Sequence, residues 1–256
     1  MDNPSINSLF DFIKDQLDPS LSMEQWDGYI RFSCPGLPFD LFIIHRLGVD
    51  VHDIDSKRKI IIYKQQLDLQ YQKIKNRIKA LSGKAIKIYA RETVLARIDK
   101  KQAISFQDEH HLQIALPGKY RYGLYYHGEL VSVAVFSGGR KMRDKAVDYR
   151  SFELLRFCHK SDHIVIGGLS KLIKGFKKDF NPNDIMTYVD MNWAQDSSLK
   201  AIGFEERGMR KGGTFWVSEG IQYIIGKEEE LLEIAENHPN GYLYRNLGSI
   251  KLVMSL

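Results

Sequence analysis

A glycine-rich turn that opens a helix, set among strands, constrains this 256-residue chain more than any other feature. The turn is Ile166-Gly-Gly-Leu-Ser-Lys171, and it lies inside a segment, 120–204, that alternates strand and helix patterns. Two adjacent glycines permit a tight turn, and the first N–H groups of the following helix have no partner inside that helix. Because these groups converge on one point, the segment predicts a site for a phosphate or a pyrophosphate.

Apolar runs predict the strands on both sides of this turn. Strands at 120–126 and 129–136 flank His127-Gly128, a pair that is typical of a tight hairpin. A third strand is predicted at 152–158, a helix at 170–180 follows the turn, and Leu199-Lys-Ala-Ile-Gly-Phe204 closes the segment. The alternation of strands and helices predicts an α/β fold.

Length and composition limit the class of the protein and its number of domains. The chain is 43% hydrophobic and 27% charged, as in ordinary soluble globular proteins, and has room for one large domain or two modest ones. We predict a smaller α/β N-terminal region at 1–85 and a second domain with a C-terminal extension at 86–256. No apolar run approaches the ~20 residues of a membrane-spanning helix. The N-terminus also lacks the pattern of a signal peptide, so we expect a cytoplasmic protein.

Charge and cysteines narrow the classes of ligand. The net charge of +5 favours anionic partners, such as coenzyme phosphates or nucleic acid, without choosing between them. Cys34 and Cys158 lie far apart with no metal-binding spacing, so we expect two reduced, buried thiols and no metal. Asp40, Asp53 and Asp55 complete no recognisable nuclease spacing, and we interpret them as surface-turn residues.

The order of these elements resembles the fold of the GNAT-type N-acyltransferases, whose members bind acyl-coenzyme A. It is more closely similar to a GNAT-like domain of phage and bacterial proteins, often found next to homing-endonuclease modules. The resemblance covers about 86–218 and implies a mixed, mostly antiparallel sheet flanked by helices. The segments that carry it are Lys87–Arg91, His110–Gln113, Gly123–Tyr126, Glu129–Ser132, Glu153–Cys158, Ile166–Lys171, Tyr188–Asp190, Trp193 and Gly203–Phe204.

The resemblance implies that acetyl-CoA or another acyl-CoA binds at the glycine turn, through Ile166, Gly167, Gly168, Leu169, Ser170 and Lys171. GNAT enzymes carry Gln or Arg, two residues, Gly, one residue, and then Gly or Ala in this loop. Here the register stays open: counting from Gly168 places Val165 at the polar position, and counting from Gly167 places Ile164 there. The other interpretation is a glycine turn that only docks the helix against the sheet.

Acyl transfer to an amine requires a base for the ammonium proton and an acid for the departing thiolate. Glu153 and Asp190 are the candidate bases, and the acceptor is an unknown amine. Many GNAT enzymes use a Tyr before the Gly-Phe turn as the acid, but counting back from Gly203-Phe204 places Leu199 there. A leucine cannot donate a proton, which departs from the family's pattern.

Arg156, Tyr188 and Trp193 are the candidate substrate-binding residues. Glu153 and Asp190 are predicted on neighbouring strands, where Arg156 can pair with either carboxylate. The functional interpretation is a polar substrate pocket. The structural interpretation is a carboxylate–guanidinium network, because a buried charge needs a partner whether or not there is chemistry.

A rival function depends on the basic loop at 138–145. Arg140, Lys141 and Arg143 can hold a nucleic-acid backbone, and the tyrosines at 120, 122, 125 and 126 can stack on bases if they are exposed. Under this interpretation the protein is a non-enzymatic, nucleic-acid-associated module of the phage or mobile-element type.

Overall fold

The computed structural model describes residues 3–46, 49, 51, 54, 58–142, 145–193 and 197–256. In chain order the elements are α1 (Pro4–Gln16), β1 (Ser22–Trp26), β2 (Tyr29–Ser33), β3 (Phe39–Ile44), β4 (Arg58–Tyr63), α2 (Lys64–Leu81), β5 (Ile86–Tyr89), a 3-10 turn (Ala90–Glu92), β6 (Val94–Arg97), α3 (Lys100–His110), β7 (Tyr120–Tyr126), β8 (Glu129–Phe136), β9 (Arg140–Lys141), β10 (Arg150–His159), β11 (His163–Ile166), α4 (Gly168–Phe180), β12 (Asp184–Asp190), α5 (Ser197–Lys200), β13 (Glu205–Ser218), β14 (Ile221–Ile225), α6 (Glu228–Asn237) and β15 (Tyr242–Ser255). The predicted α/β fold, with mixed and mostly antiparallel sheets flanked by helices, is confirmed.

The chain forms two compact units, and each is built from separate stretches. The first unit comprises Met1–Lys84, Asp190–Gln195 and Lys211–Ser249. The second comprises Ala85–Val189, Asp196–Arg210 and Ile250–Leu256. Strands β13 and β15 are therefore each divided between the two units.

The first unit contains a four-stranded sheet in the order β1-β2-β3-β4. Strand β3 is buried along its whole length and runs parallel to β4, whereas the other pairs are antiparallel. Parallel neighbours require a long connection, and residues 45–57 supply it. Helices α1 and α2 cover this sheet, with Ile6, Leu9, Ile13, Leu67 and Ile74 buried. In the same unit β13 pairs with β14 and lies beside β15.

The second unit contains a sheet in the order β13-β15-β12-β10-β8-β7-β6, with β9 paired to β10. Helix α4 packs on one face through Leu172, Ile173 and Phe176, which join a core with Phe136 and Phe152. Helix α3 covers the other face, where Phe106 packs with Val133, Val135 and Cys158. The sheet is thus enclosed between one helix on each side.

Local capping chemistry sets the start of two helices. The carboxylate of Asp99 accepts a hydrogen bond from the Gln102 N–H at 2.8 Å and so caps the start of α3. At the start of α6 the Glu230 carboxylate accepts from the Gly226 N–H at 2.8 Å. None of the described helices combines the length and the apolar character needed to cross a lipid bilayer.

A three-residue cluster fastens the end of α4 to the sheet. The Tyr122 hydroxyl donates to the Asp179 carboxylate, and the Arg97 guanidinium pairs with the same carboxylate at 2.8 Å. Burial raises the pKa of Tyr122 to about 12, with Asp179 adding to the shift. The hydrogen bonds from Tyr122 and Arg97 lower the pKa of Asp179.

These shifts predict a loss of stability in strong alkali. A phenol whose pKa is raised from 10 to about 12 in the folded protein stabilises it fully below pH 10, and that contribution is lost as the pH rises to 12. Tyr242 in the first unit behaves in the same way, with a pKa of about 12. We expect Tyr122→Phe to lower the free energy of unfolding at pH 7 by about 1 kcal/mol. In the variant, the free energy of unfolding should also decline less steeply above pH 10, as measured by urea unfolding across the pH range. If the free energy of unfolding of the variant falls as steeply above pH 10 as that of the wild-type protein, the raised pKa does not belong to Tyr122.

Candidate active site

Strands β10 and β12 run parallel but pair only over their first residues. Ser151–Glu153 lie opposite Asp184–Met186, although β10 continues to His159. The last link that we find is the Thr187 hydroxyl, which donates to the Leu154 carbonyl oxygen at 2.8 Å. Beyond this link the described residues of the two strands show no ladder pairing, so a cleft opens towards their carboxyl ends.

A bulge in β10 coincides with the start of the cleft. Leu154 lies opposite Phe136 of β8 and Arg156 lies opposite Val135, which leaves Leu155 as the extra residue. A bulge bends its strand and increases the local twist. The bulge therefore gives a physical reason for β10 to remain paired with β8 while it loses β12.

The N-terminus of α4 lies at the same edge of the sheet as this cleft. Helix α4 is the crossover between β10 and β12, so it starts where those parallel strands end. Gly167 adopts the left-handed conformation with φ of 76°, which glycine reaches without steric cost, and no side chain caps the helix. The first intrahelical bond that we find runs from the Lys171 N–H to the Gly167 carbonyl at 3.0 Å. The N–H groups of the three preceding residues are therefore free to bind an anion.

The two glycines of the turn have different roles. A Cβ added to Gly168 would lie 3.0 Å from the Val165 Cβ and 3.4 Å from a methyl group of Leu124, so this position needs a small residue for packing. Leu169 is buried in the same core, whereas Ile166 is 42% exposed just before the turn. The same segment thus packs the helix against the sheet and forms the proposed ligand site.

The side chains of Ser170 and Lys171 do not point to a ligand at the turn. Ser170 is the third residue of α4 and caps nothing, because Gly167 holds the N-cap position. The Lys171 ammonium donates to the carbonyl oxygens of Ala90, at 2.8 Å, and of Thr93. It fixes the 3-10 turn against the start of the helix, a long-range contact that no local pattern in the sequence indicates.

Glu153, Arg156 and Tyr188 lie on one face of the sheet. Arg156 shares this face with its partner Val135, and Glu153 is paired with Met186, two residues before Tyr188. The Arg156 guanidinium donates to the carbonyls of Ile114 and Leu155, at 3.0 and 2.7 Å. Burial lowers the pKa of Arg156, and the nearby Glu153 carboxylate opposes this shift. The Arg210 guanidinium lies 4.8 Å from the centre of the Tyr188 ring.

Asp190 and Trp193 belong to the first unit, where they flank a buried asparagine. The N–H of Asn192 donates to one Asp190 oxygen at 2.9 Å, and the Tyr244 hydroxyl donates to the other. Burial and the Asp190 charge raise the pKa of Tyr244 well above its usual value. Trp193 is buried, and its carbonyl accepts from Arg58 at 3.2 Å. Both carboxylate oxygens of Asp190 are therefore engaged in structural hydrogen bonds.

Asn192 is a residue that the sequence analysis missed. It is fully buried, its amide donates to the Arg245 carbonyl at 2.8 Å, and its oxygen accepts from the Leu247 N–H at 2.9 Å. Its own carbonyl accepts from the Ile61 N–H at 2.9 Å. The Asp190-Met-Asn192 spacing at a strand end is the one local signal that indicates such a turn.

Leu199 takes no part in polar chemistry. It is partly buried against the core of the second unit, together with Ile202 and the buried Phe204. The turn that follows α5 places Gly203 at φ of 101°, a conformation that favours glycine. The position that the resemblance assigns to an acidic tyrosine is thus a packing position.

The basic segment is partly a strand rather than a loop. Arg140 and Lys141 form β9, which pairs with the start of β10, and both side chains are exposed. Arg143 lies outside the described residues. Of the tyrosines proposed to stack on bases, Tyr122 is buried, and Tyr120 packs against Phe180 with ring centres 4.0 Å apart. The stacking surface that the nucleic-acid interpretation needs is therefore largely used by the core.

The other polar candidates have structural roles. Asp40 is buried and pairs with Arg31 at 2.7 Å, so its interpretation as a surface-turn residue is wrong. Asp53 and Asp55 lie outside the described residues. Cys34 and Cys158 are buried thiols that form no disulfide, as expected. In the part of the chain that the structure describes, no three His, Cys, Asp or Glu side chains form a metal site.

No protein-family model and no curated protein matches this chain. Among solved structures it is similar to a GNAT family acetyltransferase from Elizabethkingia anophelis with acetyl-CoA bound, at 11% identity and a TM-score of 0.36, over 64% of this chain and 99% of that one. A Bacillus subtilis acetyltransferase in complex with CoA is 12% identical with a TM-score of 0.39, and the match covers 64% of this chain and 99% of that one. The ribosomal-protein-S18-alanine N-acetyltransferase from Escherichia coli is 11% identical with a TM-score of 0.37, and the match covers 64% of this chain and 93% of that one. None of the three is described as a phage or homing-endonuclease protein.

The buried contacts of Asn192 predict a large effect of its removal. Asn192→Ala leaves the Arg245 carbonyl and the Leu247 N–H without their partners, and we expect a loss of about 2–3 kcal/mol in the free energy of unfolding. Urea unfolding checks this, with Asn237→Ala as the control, because the Asn237 amide donates to the Glu233 carbonyl at an exposed position. Equal effects of the two substitutions would contradict the structural role of Asn192.

Proposed function

We propose that this protein is an acyl-CoA-dependent N-acyltransferase of the GNAT type, with an amine as acceptor. The observation that carries the proposal is the coincidence, at one sheet edge, of two parallel strands that separate and an uncapped helix N-terminus. Ligands of open α/β sheets bind outside the carboxyl ends of parallel strands. The order of strands and helices over 120–204 is also the order on which the resemblance to the family depends.

The two halves of the site suit the two chemical parts of an acyl-CoA. The N–H groups at Gly168, Leu169 and Ser170 would bind the pyrophosphate, because they combine free donors with the positive end of the helix dipole. The amide-containing pantetheine arm would lie between β10 and β12. Strand N–H and C=O groups that lose their neighbour need other partners, and the amides of the arm can supply them.

Glu153 is the base that the geometry favours in this proposal. It lies at the last paired position before the cleft, whereas the Asp190 oxygens are already engaged. The carboxylate takes a proton from the ammonium of the acceptor, and the freed nitrogen lone pair attacks the thioester carbonyl. The nitrogen then loses its second proton to solvent water, the carbonyl re-forms as the carbon–sulfur bond breaks, and the thiolate leaves. Leu199 has no proton to give, so solvent water protonates the thiolate at the open end of the cleft.

Arg156 and Tyr188 would shape the acceptor side on the same face as Glu153. Arg156 donates to two backbone carbonyls rather than to Glu153, and its positive charge near that carboxylate would favour the ionised form of Glu153. Asp190 and Trp193 make structural contacts within the first unit, so we give neither of them a part in the reaction.

The nucleic-acid interpretation has less support. It depends on the exposed Arg140 and Lys141 and on the net charge of +5, and we keep it as an outcome of the first experiment. Under it the protein ignores acetyl-CoA and binds DNA or RNA with an affinity that falls steeply with salt. Arg140→Glu with Lys141→Glu should then abolish that binding.

Coenzyme binding can be tested by removing one N–H group from the turn. Ser170→Pro deletes a donor that has no partner inside the helix, and proline is tolerated in the first turn. We expect acetyl-CoA and CoA to bind the wild-type protein and Ser170→Ala alike, and Ser170→Pro roughly 10–100-fold more weakly, because a hydrogen bond to a charged group is lost. Calorimetric titration measures this, and circular dichroism confirms that the helix persists. Wild-type protein that binds neither ligand would overturn the proposal.

The base can be tested separately from binding. Glu153→Gln keeps the size of the side chain but cannot accept the ammonium proton, so turnover should fall by roughly 10²–10⁴-fold with the acetyl-CoA affinity unchanged. Release of the CoA thiol, with a panel of primary amines as acceptors, gives the rate. Glu206→Gln is the control, because its exposed carboxylate pairs with Lys200 at 3.5 Å on the surface. A Glu153→Gln variant with full turnover would exclude Glu153 as the base.

A further inference from the structure

An exposed apolar and aromatic patch lies directly before the glycine turn. Strands β5 and β11 pair in parallel, with Ile88 opposite Val165 and Tyr89 opposite Ile166. The first pair is buried in the core, whereas Tyr89 is 45% exposed and Ile166 is 42% exposed. The two-stranded sheet therefore turns one face inwards and presents a tyrosine and an isoleucine on the other.

Two cations border this patch. The Arg91 guanidinium lies 5.0 Å from the centre of the Tyr89 ring. Lys87 is exposed and, two residues before Tyr89, shares its face of the strand. Among the described residues we find no ion pair for either cation. An aromatic ring with adjacent unpaired cations has the composition of a site for a nucleobase and its phosphate.

The patch is fastened to the start of α4. Lys171 donates to the carbonyls of Ala90 and Thr93, which flank Arg91, and the Thr93 hydroxyl donates to the Ala90 carbonyl at 2.7 Å. A Cβ added to Gly167 would lie 3.6 Å from the Ala90 Cβ. Tyr89 and Arg91 therefore stand beside the helix N-terminus on a backbone that the lysine holds in place.

We infer that this patch, formed by Lys87, Tyr89, Arg91 and Ile166, binds the adenosine 3′-phosphate end of the coenzyme. The inference rests on the proposed function, because it places the next part of the same ligand. The adenine ring stacks on Tyr89 against Ile166, and the 3′-phosphate binds Arg91 and Lys87. The pyrophosphate at the N-terminus of α4 then lies between this patch and the cleft that takes the pantetheine arm.

The charges favour a nucleotide over an apolar protein partner. A partner that covered Tyr89 and Ile166 with an apolar surface would bury Arg91 and Lys87 without counter-charges, which is costly. A phosphate dianion supplies those charges, and a base covers the ring without a large apolar face. The exposed apolar residues and the cations thus have one common explanation.

The test compares CoA with dephospho-CoA, which lacks only the 3′-phosphate. We expect the wild-type protein to bind CoA at least tenfold more tightly than dephospho-CoA. Arg91→Ala should remove this preference, and Lys87→Ala should reduce it. Tyr89→Ala should weaken both ligands equally, by about tenfold or more, because base stacking is lost. Arg46→Ala, which removes an exposed cation paired with Asp27, is the control for net charge.

The outcomes separate this inference from the proposed function. If the wild-type protein binds CoA but the Arg91 and Tyr89 variants bind both ligands with unchanged affinity, the patch is not the nucleotide site and the acyltransferase proposal stands. If Ser170→Pro weakens CoA binding but the Arg91 and Tyr89 variants do not, the patch is again not the nucleotide site and the acyltransferase proposal stands. If the wild-type protein binds neither ligand, both proposals fail. Equal thermal midpoints of the variants establish that any loss of affinity is local.

Discussion

The loss of pairing between β10 and β12 is the constraint on which the rest of the second unit depends. After Glu153 and Met186 the ladder stops, and one hydroxyl, from Thr187, makes the last link that we find. Polar backbone groups in the middle of a sheet cannot stay without partners at low cost. Because of the bulge at Leu155, β10 stays paired with β8 where it is no longer paired with β12. The sheet is therefore intact on one side of the cleft, and a ligand with amide groups can bind the unpaired backbone groups on the other side.

The start of α4 shows how one short segment serves both stability and binding. Gly167 supplies a backbone conformation, Gly168 supplies space for Val165 and Leu124, and Leu169 enters the core. Lys171, which the sequence suggests as a ligand for an anion, is used to hold the turn that carries Arg91. The positive charge near the proposed phosphates therefore comes from the helix end, from Lys87 of β5 and from Arg91 of the 3-10 turn, not from Lys171.

Features encoded by neighbouring residues could be predicted from the sequence, and features made by distant contacts could not. The start of α3 at Asp99, the helix at 228–237 and the placement of Glu153 on a strand beside β12 all follow from local capping, periodicity or crossover rules. The bulge carries no glycine signal in Leu154-Leu155-Arg156, so the sequence does not reveal it. The side-chain hydrogen bonds of Asn192 and Lys171 join residues more than 50 positions apart, and no pattern within a single element indicates them.

The division of the chain into its two units has a consequence for how the protein is made. Neither unit is encoded by one continuous stretch: the polypeptide passes from one to the other after Lys84, Val189, Gln195, Arg210 and Ser249. A fragment that ends at Lys84 lacks β14, α6 and the parts of β13 and β15 that complete the first unit. During synthesis, then, neither unit can finish its core before most of the chain has left the ribosome, and cutting at a single peptide bond cannot release either unit whole.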